Sequence, residues 1–454
     1  MLSLHKFNGR HQSPAVDQKA AVTSSVPLPI PQRRYRYSRM RWRILVHLID
    51  GVGFALSWLF SCFSRRKPVA NIDRILIVQL DHLGDAVLTT SMLTGLRRKW
   101  PDAVIDVLAS ATNADVFRAS PLIQNVHVAD RNWFERRSGC WAMLTAACEY
   151  GRRMRPLKYD LGIDVRGDIL SIFTMVLARI PRRAGWAMGG GGFWLTDVAQ
   201  WIPGRHEVLS RMALLKALNA SLPKGERPKV SLEIRSSDRL FINQQLCRLW
   251  TPHQWLNACL NHGSAGWEFT KLVAPIVVVH PGAGTQAKRW PLTYWRRLID
   301  LLISEGYFVA LIGCSEDQPM TEMVGRKSGV IDLTGQLRIT QTMALLERAD
   351  LFIGVDSGPA HLAAITKTRS VVLFSGTNRP SQWRPWSKEV LGIRNKVSCS
   401  PCHQKLCPLS EHACMTGIKP EAVIAIAQRW LNRSQSRWIS TEFDSSYPGN
   451  PNAA

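Results

Sequence analysis

The sequence predicts an α/β protein of two Rossmann-like, doubly wound domains that face each other across a cleft. Short apolar strands alternate with helices of apolar spacing, first from residue 74 and again from residue 274, which is typical of parallel sheets covered by helices. The polar linker 221–229 separates the two series, and a chain of 454 residues is too long for one ordinary core. Because ligands of such sheets bind at the carboxyl ends of the strands, we expect the site between the domains.

The composition divides the chain into five predicted segments. Residues 1–43 are predicted to be a disordered basic arm, 44–68 an apolar, membrane-associating helix, and 433–454 a disordered tail. The N-terminal domain is predicted to span 72–225 and to bind the acceptor. The C-terminal domain is predicted to span 230–432 and to bind a nucleotide-linked donor.

The apolar run of residues 44–63 is nearly long enough to span a bilayer. Asp50 lies near its middle, where a charge costs about 3 kcal/mol or more. Basic residues flank both ends: residues 1–72 hold twelve Lys and Arg against two acidic residues, a net +10 of the chain's +24. The sequence therefore favours a helix lying on an anionic membrane surface over a span. A helix packed on the protein's own body is the remaining alternative.

The strongly basic charge also raises nucleic acid as a partner. No helix-turn-helix, zinc-finger or RNA-binding signature is found, so we expect no nucleic-acid partner. No secretory signal is evident, and the ten cysteines are therefore expected to be reduced thiols in the cytoplasm.

Four of the cysteines form a cluster near the end of the second domain: Cys399, Cys402, Cys407 and Cys414. Four thiols this close could hold zinc or an iron–sulfur cluster. Their spacing matches no standard finger, however, and Pro401 and Pro408 interrupt it. The sequence favours structural thiols, and we expect no metal.

The first strand, RILIVQL (74–80), leads into the turn DHLGD (81–85). Asp85 follows Gly84 at a helix start that faces the expected cleft, a position that suits a general base and also suits a helix cap. Asp81 is a rival for either role. The turn has one glycine where the dinucleotide-binding fingerprint needs three, which disfavours a nicotinamide-dependent oxidoreductase. A second glycine-rich loop, Gly189–Gly192, has no assigned role.

The second series of strands begins with APIVVVH (274–280), followed by PGAGTQAKRWP (281–291). Gly282 and Ala283 are small enough for a phosphate to contact the backbone. Thr285 offers a hydroxyl, and Lys288 offers a positive charge. Taken alone, Lys288 would be interpreted as an ordinary solvated lysine. Its position in this loop strengthens the alternative interpretation, that it contacts a phosphate.

The stretch LFIGVDSGPAHLAA (351–364) predicts a strand that turns directly into a helix. Asp356 and Ser357 are good cap residues, Gly358 permits close approach, and Pro359 suits the first helical position. Such a helix start is a ready anion site. The chain contains no Asp-x-Asp for a metal-bridged diphosphate, so Lys288 and helix N-termini would have to neutralise the leaving phosphate.

Taken in order, these motifs resemble glycosyltransferase family 9, the ADP-heptose:lipopolysaccharide heptosyltransferase group. The segments that carry the resemblance are RILIVQLDHLGDAVLTTSMLTGLRRKWPDA, YDLGIDVRGD, HEVLSRMALLKAL, HPGAGTQAKRWP, GVDSGPAHLAA and CSPCHQKLCPLSEHACM. The likeness covers residues 72–432 and leaves the first 70 residues outside it.

The resemblance implies a GT-B fold and an inverting, metal-independent transferase that needs no cofactor. It implies ADP-heptose as donor, an anionic glycolipid of the lipopolysaccharide type as acceptor, and a peripheral location on the cytoplasmic face of the bacterial inner membrane. It makes Asp85 the general base and Lys288 the phosphate-binding lysine. The implied donor contacts, with Asp317 as an alternative to Glu316, are Gly84, Gly282, Ala283, Thr285, Glu316, Asp356, Ser357, Gly358 and His361.

Two alternatives stay open at this point. The same fold could transfer a sugar from another nucleotide to a different surface glycan. It could also serve as a membrane-tethered protein that binds a nucleotide-sugar or metal without catalysis.

Overall fold

The computed structural model describes residues 40–61, 71–129, 140–230, 232–247, 275–325 and 327–432. The predicted tail and all but the last four residues of the predicted basic arm lie outside these ranges.

Helix α1 (Met40–Ser61) precedes the first sheet and begins four residues before the predicted start at residue 44. The strands of that sheet are β1 (Arg74–Gln79), β2 (Val104–Ser110), β3 (Asn125–Ala129), β4 (Leu161–Asp164), β5 (Arg182–Gly185) and β6 (Asp197–Val198). The helices that accompany them are α2 (Leu83–Thr89), α3 (Leu93–Lys99), α4 (Ala114–Arg118), α5 (Cys140–Met154), α6 (Ile169–Leu177) and α7 (Glu207–Ala217). The next helix, α8 (Ser236–Leu246), packs on the second domain, where Arg239 pairs with Glu347.

The second sheet consists of β7 (Ile276–His280), β8 (Phe308–Leu311), β9 (Val330–Asp332), β10 (Leu351–Val355), β11 (Ser370–Phe374) and β12 (Val390–Arg394). Its helices are α9 (Leu292–Ser304), α10 (Gln318–Gly325), α11 (Ile339–Arg348), α12 (Gly358–Ile365), α13 (Pro380–Trp383), α14 (Ala413–Thr416) and α15 (Pro420–Asn432).

Both sheets have the same topology. The first runs β3-β2-β1-β4-β5-β6 and the second β12-β11-β10-β7-β8-β9, with every strand pair parallel. Numbered within its own half, each order reads 3-2-1-4-5-6, the doubly wound arrangement. The predicted fold class is confirmed. The order reverses between β1 and β4 and between β7 and β10, which is where such sheets bind ligands.

The central strands lie in the core of each half. Every residue of β7, β10 and β11 is buried, because helices cover both faces of a parallel sheet. Strands without a polar face are therefore stable here. In β7 the first polar residue is His280, at the carboxyl end of the strand.

The apolar spacing of residues 86–100 predicts one continuous helix, but the structure interrupts it. α2 ends at Thr89, a 3₁₀ turn spans Thr90–Met92, and α3 begins at Leu93. The hydroxyls of Thr90 and Ser91 donate to carbonyls three residues earlier, at 2.8 and 2.6 Å. These side-chain bonds favour a local turn over a continuous α-helix.

The two halves meet at the N-terminal ends of α2 and α12 and beside α7. His206, which caps α7, lies with Nε2 2.9 Å from the carbonyl oxygen of Arg384. The amide of Gln382 donates to Glu207 at 2.9 Å. The strand ends of the two sheets are thereby brought to one interface. Among the described residues, no helix is both long and apolar enough to span a membrane.

Candidate active site

The turn after β10 lies at the reversal point of the second sheet. β10 ends at Val355, and α12 begins at Gly358 with Ser357 in the extended N-cap conformation. The hydroxyl of Ser357 lies 3.0 Å from Nδ1 of His280, the last residue of β7. The two neighbouring strands are thus joined at their carboxyl ends, beside the N-terminal end of α12.

Lys288 lies against this turn. Its ammonium donates to the carboxylate of Asp356 at 2.8 Å and to the Asp356 carbonyl at 3.1 Å. The amide of Asn378 donates to the same carboxylate at 3.3 Å. The structure therefore brings Lys288 and Asp356 together, and it adds Asn378, which follows β11 in a loop with no recognisable motif.

The small-residue loop after β7 has one crowded and one open glycine. A Cβ added to Gly282 would lie 2.5 Å from Oδ1 of Asp317, whereas one added to Gly284 would contact nothing within 4 Å. Ala283 lies between them and is half-buried. The Thr285 hydroxyl is buried and has no hydrogen-bond partner among the described residues.

Glu316 and Asp317 follow β8 and differ in their surroundings. Asp317 is buried; it accepts from the Cys314 N–H at 3.1 Å and lies 3.8 Å from His280. Burial opposes ionisation of Asp317, but hydrogen bonds from His280 and Cys314 outweigh it and lower the pKa of Asp317. Glu316 is exposed. Asp317 therefore stabilises the loop, whereas the Glu316 side chain points to the solvent-exposed surface.

His361 on α12 connects this half of the site to the first domain. Burial lowers the pKa of His361 to about 4, so the imidazole is neutral at physiological pH. Its Nδ1 has no hydrogen-bond partner in the described part of the chain. A Cβ added to Gly84 would lie 2.9 Å from the His361 ring, and one added to Gly358 would overlap Leu83. Only glycine fits this closely at either position.

Asp85 lies in the first turn of α2, on the first-domain side of the same contact. Nη2 of Arg211 on α7 is 3.9 Å from its carboxylate. Arg211 is buried, pairs with Glu207, and stacks over the ring of Trp186 at 5.5 Å. Sequence reasoning missed Arg211; the signal was an arginine at a position of α7 that faces the core.

Asp81, the rival of Asp85, is ion-paired with Arg166 at 3.3 Å. Arg166 belongs to the loop after β4, which Asp164 organises by accepting N–H groups of residues 166–168 at 2.7 to 3.2 Å. Burial, with a contribution from Asp168, raises the pKa of Asp164 to about 7. Neither Arg166 nor Asp164 was singled out from the sequence.

The four clustered cysteines differ in burial. Cys414 is buried and Cys399 is exposed. Within the described ranges, no three His, Cys, Asp or Glu side chains are grouped closely enough to hold a metal ion.

Comparison with known proteins identifies the family of this chain. The sequence profile of glycosyltransferase family 9 (heptosyltransferase) matches residues 148–413, more than half of the chain. Lipopolysaccharide heptosyltransferase 3 of Escherichia coli is 26% identical over 319 residues, which is 68% of this chain and 85% of that protein. Lipooligosaccharide heptosyltransferase 2 of Haemophilus ducreyi is 26% identical over 330 residues, 71% of this chain and 88% of that protein.

A solved structure shows the same fold. The E. coli ADP-heptose lipopolysaccharide heptosyltransferase II superposes with a TM-score of 0.59 at 20% identity, covering 79% of this chain and 98% of that one. The two facing doubly wound sheets are accordingly a GT-B fold. Because the sequence profile matches more than half of the chain, the chain belongs to glycosyltransferase family 9, the heptosyltransferase family, and is a glycosyltransferase.

Proposed function

We propose that the protein is an inverting, metal-independent heptosyltransferase that moves heptose from ADP-heptose onto a glycolipid of the lipopolysaccharide type. The observation that carries this proposal is the opposition of a carboxylate, Asp85, and the turn that holds the Lys288 ammonium at the start of α12, across one contact between the domains. The names of the relatives support the sugar and the acceptor class, and the name of the E. coli structure supports the nucleotide.

The donor diphosphate is assigned to the turn after β10. Lys288 supplies a positively charged ammonium there, and the N-terminus of α12 supplies the partial positive charge of a helix dipole. Asp356 holds the ammonium at 2.8 Å, which fixes the position of the charge beside the turn. The unpartnered hydroxyl of Thr285 completes the cradle, and the exposed Glu316 is assigned to the ribose.

The transfer step follows from the position of Asp85. An acceptor hydroxyl attacks the anomeric carbon on the face opposite the diphosphate, and its proton passes to the Asp85 carboxylate. The bond from carbon to the phosphate oxygen breaks, and ADP leaves with the electron pair. Attack from the opposite face inverts the anomeric configuration. A positioned base of this kind contributes about 10²- to 10⁴-fold.

Charge on the leaving diphosphate is neutralised by protein groups in this scheme. Lys288 and the α12 N-terminus are fixed before the reaction, which makes their stabilisation of the developing charge effective. The neutral His361 and the close contact at Gly84 exclude water from the junction between the domains. A glycolipid acceptor places the enzyme at a membrane surface, and we assign it peripherally to the cytoplasmic face of the inner membrane.

The direct test incubates the purified protein with ADP-heptose and lipopolysaccharide that lacks heptose, in the presence of EDTA. We expect a mass gain of one heptosyl unit, release of ADP, and an inverted anomeric signal by NMR. Parallel incubations with UDP- and GDP-sugars test the donor. Transfer from one of these instead would overturn the donor assignment, and loss of activity in EDTA would overturn metal independence.

A further inference from the structure

Helix α1 docks on the first domain by one face and leaves the opposite face exposed. Val46 and Asp50 are buried, and so is Gly53. Eight of the fifteen exposed large apolar side chains among the described residues lie on this one helix: Met40, Ile44, Leu45, Leu48, Ile49, Val52, Leu56 and Trp58. A patch of this kind marks an interaction surface.

The glycine-rich loop 189–192 is the seat on which α1 docks. The Asp50 carboxylate accepts the Gly191 N–H at 2.7 Å. Gly190 and Gly191 have φ values of +91° and +77°, which disfavour any other residue, and a Cβ on Gly190 would lie 2.7 Å from Val46. The loop therefore has the shape needed to hold this helix, a role that the sequence alone did not assign.

The exposed side chains form one continuous stripe. Ile44, Leu48 and Val52 recur every four residues and so lie one above the other on the helix. Val46 and Asp50 project from the opposite side, toward the loop. Helix α1 is apolar on both sides, and docking on the first domain buries only one of them. The stripe of Ile44, Leu48 and Val52 on the other side is exposed to water, and burying it in an apolar environment would be favourable.

The charge of the sequence that includes and flanks α1 indicates which kind of partner would bind its exposed face. Residues 18–72 contain ten Lys and Arg and one acidic residue, a net charge of +9. That single acid is Asp50, which is buried against Gly191. A second copy of the chain docked on the same face would bring two such segments together at an electrostatic cost. An anionic lipid surface offers both the apolar interior and the opposite charge.

The seat of α1 adjoins the first-domain half of the site. The glycine-rich loop follows β5. Trp186, which lies between β5 and this loop, packs beneath Arg211, the partner of Asp85. A Cβ on Gly189 would overlap the carbonyl of Gly167, in the loop that presents Arg166 to Asp81. A surface bound by α1 therefore lies beside the acceptor half of the cleft.

We propose that the exposed face of α1 inserts into the headgroup region of an anionic bilayer, with the helix in the membrane plane and the Asp85 side of the cleft beside the lipid. Asp50 and the glycine loop fix the orientation of the domain on that surface. The inference rests on the proposed function in one respect, that the acceptor is carried by a lipid.

The test is cosedimentation of the full chain with vesicles of phosphatidylglycerol and, separately, of phosphatidylcholine. We expect binding to the anionic vesicles that weakens as salt is raised. The double variant Leu48→Glu with Val52→Glu should lower the partition coefficient by more than about tenfold, since it removes two apolar side chains and adds repulsion. Met323→Glu on α10 is the matched control, because Met323 is 58% exposed and Leu48 63%. Both variants should melt at the wild-type temperature.

Four results would overturn the proposal. The double variant could bind vesicles as the wild type does, or the wild type could bind neutral vesicles equally well. Resistance to alkaline carbonate extraction would instead make α1 a span. A vesicle-free dimer that the double variant dissociates would make the partner a second copy.

The proposed transferase activity is measured in a separate assay that uses a lipid-free core oligosaccharide as acceptor. The double variant should transfer heptose to it at the wild-type rate. If even the wild type transfers nothing from ADP-heptose, the proposed function fails while the vesicle result stands.

Discussion

Arg211 on α7 directs its guanidinium at the carboxylate of Asp85 on α2, with 3.9 Å between Nη2 and Oδ1. The same guanidinium is anchored by Glu207 and by the ring of Trp186. Glu207 in turn accepts from Gln382 of the second domain at 2.9 Å. The carboxylate that we assign as the base is thus positioned through a chain of contacts that crosses the domain interface.

Asp85→Asn should lower turnover by about 10²- to 10⁴-fold, because an amide cannot take up the proton of the attacking hydroxyl of the acceptor sugar. Donor affinity, measured by calorimetry with ADP-heptose, should stay within about twofold, since Asp85 lies on the other domain from the diphosphate turn. Asp81→Asn is the matched control and should retain most activity, because Asp81 is engaged by Arg166. A variant pair with the opposite ranking would transfer the role of base to Asp81.

Arg211→Lys tests positioning as distinct from charge. Lysine keeps the positive charge but cannot reproduce the planar contacts with Glu207 and Trp186 at once. We expect kcat to fall by about tenfold or more with KM for the donor unchanged, as for loss of a transition-state interaction. A purely structural role would lower the melting temperature and leave the kcat of the folded fraction intact.

The fold could be predicted because its signals are local. β10 has the predicted bounds, Leu351–Val355, since five apolar residues end at Asp356. Parallel strands also place their carboxyl ends on one edge, so Asp85 and Lys288 could be predicted as neighbours of the cleft.

The partners of these residues could not be predicted, because they come from distant parts of the chain. Lys288 and its acceptor Asp356 are 68 residues apart, and Asp50 and Gly191 are 141 residues apart. No periodicity encodes such pairs. Arg211 illustrates the limit: its helix is evident in the sequence, but the carboxylate that it faces depends on how α7 packs beside α2.

Lys288→Ala should weaken ADP binding by about 10- to 100-fold, because a charge-assisted hydrogen bond contributes about 1.5–3 kcal/mol. Calorimetry with ADP measures this directly. Lys327→Ala is the control: Lys327 is ion-paired with Asp300 and precedes β9, away from the carboxyl ends of the strands. Equal ADP affinity in the two variants would remove Lys288 from the donor site.

Gly84→Ala should destabilise the domain contact, because its Cβ would lie 2.9 Å from the buried His361 ring. Alanine normally stabilises a helix relative to glycine, so a net loss of about 1–3 kcal/mol in the free energy of unfolding would report the clash. Gly284→Ala should be close to neutral, since nothing lies within 4 Å of its Cβ. If urea denaturation shows Gly84→Ala to be stabilised, the two domains do not meet at this glycine.

Two buried histidines should make stability depend on pH. Burial lowers the pKa of both His206 and His361 to about 4, from 6.5. The unfolded chain therefore binds protons first, so their contribution is complete above about pH 6.5 and is lost as the pH falls toward 4. At about 1.4 kcal/mol per pKa unit, each histidine costs the fold up to about 3 kcal/mol by pH 4.

The measurement must separate these histidines from Asp164, whose pKa is raised to about 7 and which acts in the opposite sense over the same range. His206→Gln provides the separation, because glutamine can still donate to the Arg384 carbonyl but does not titrate. Urea denaturation at steps between about pH 7 and 4.5 should show a smaller loss of unfolding free energy in the variant than in the wild type. Parallel curves for the two proteins would mean that His206 is not held neutral at the domain interface.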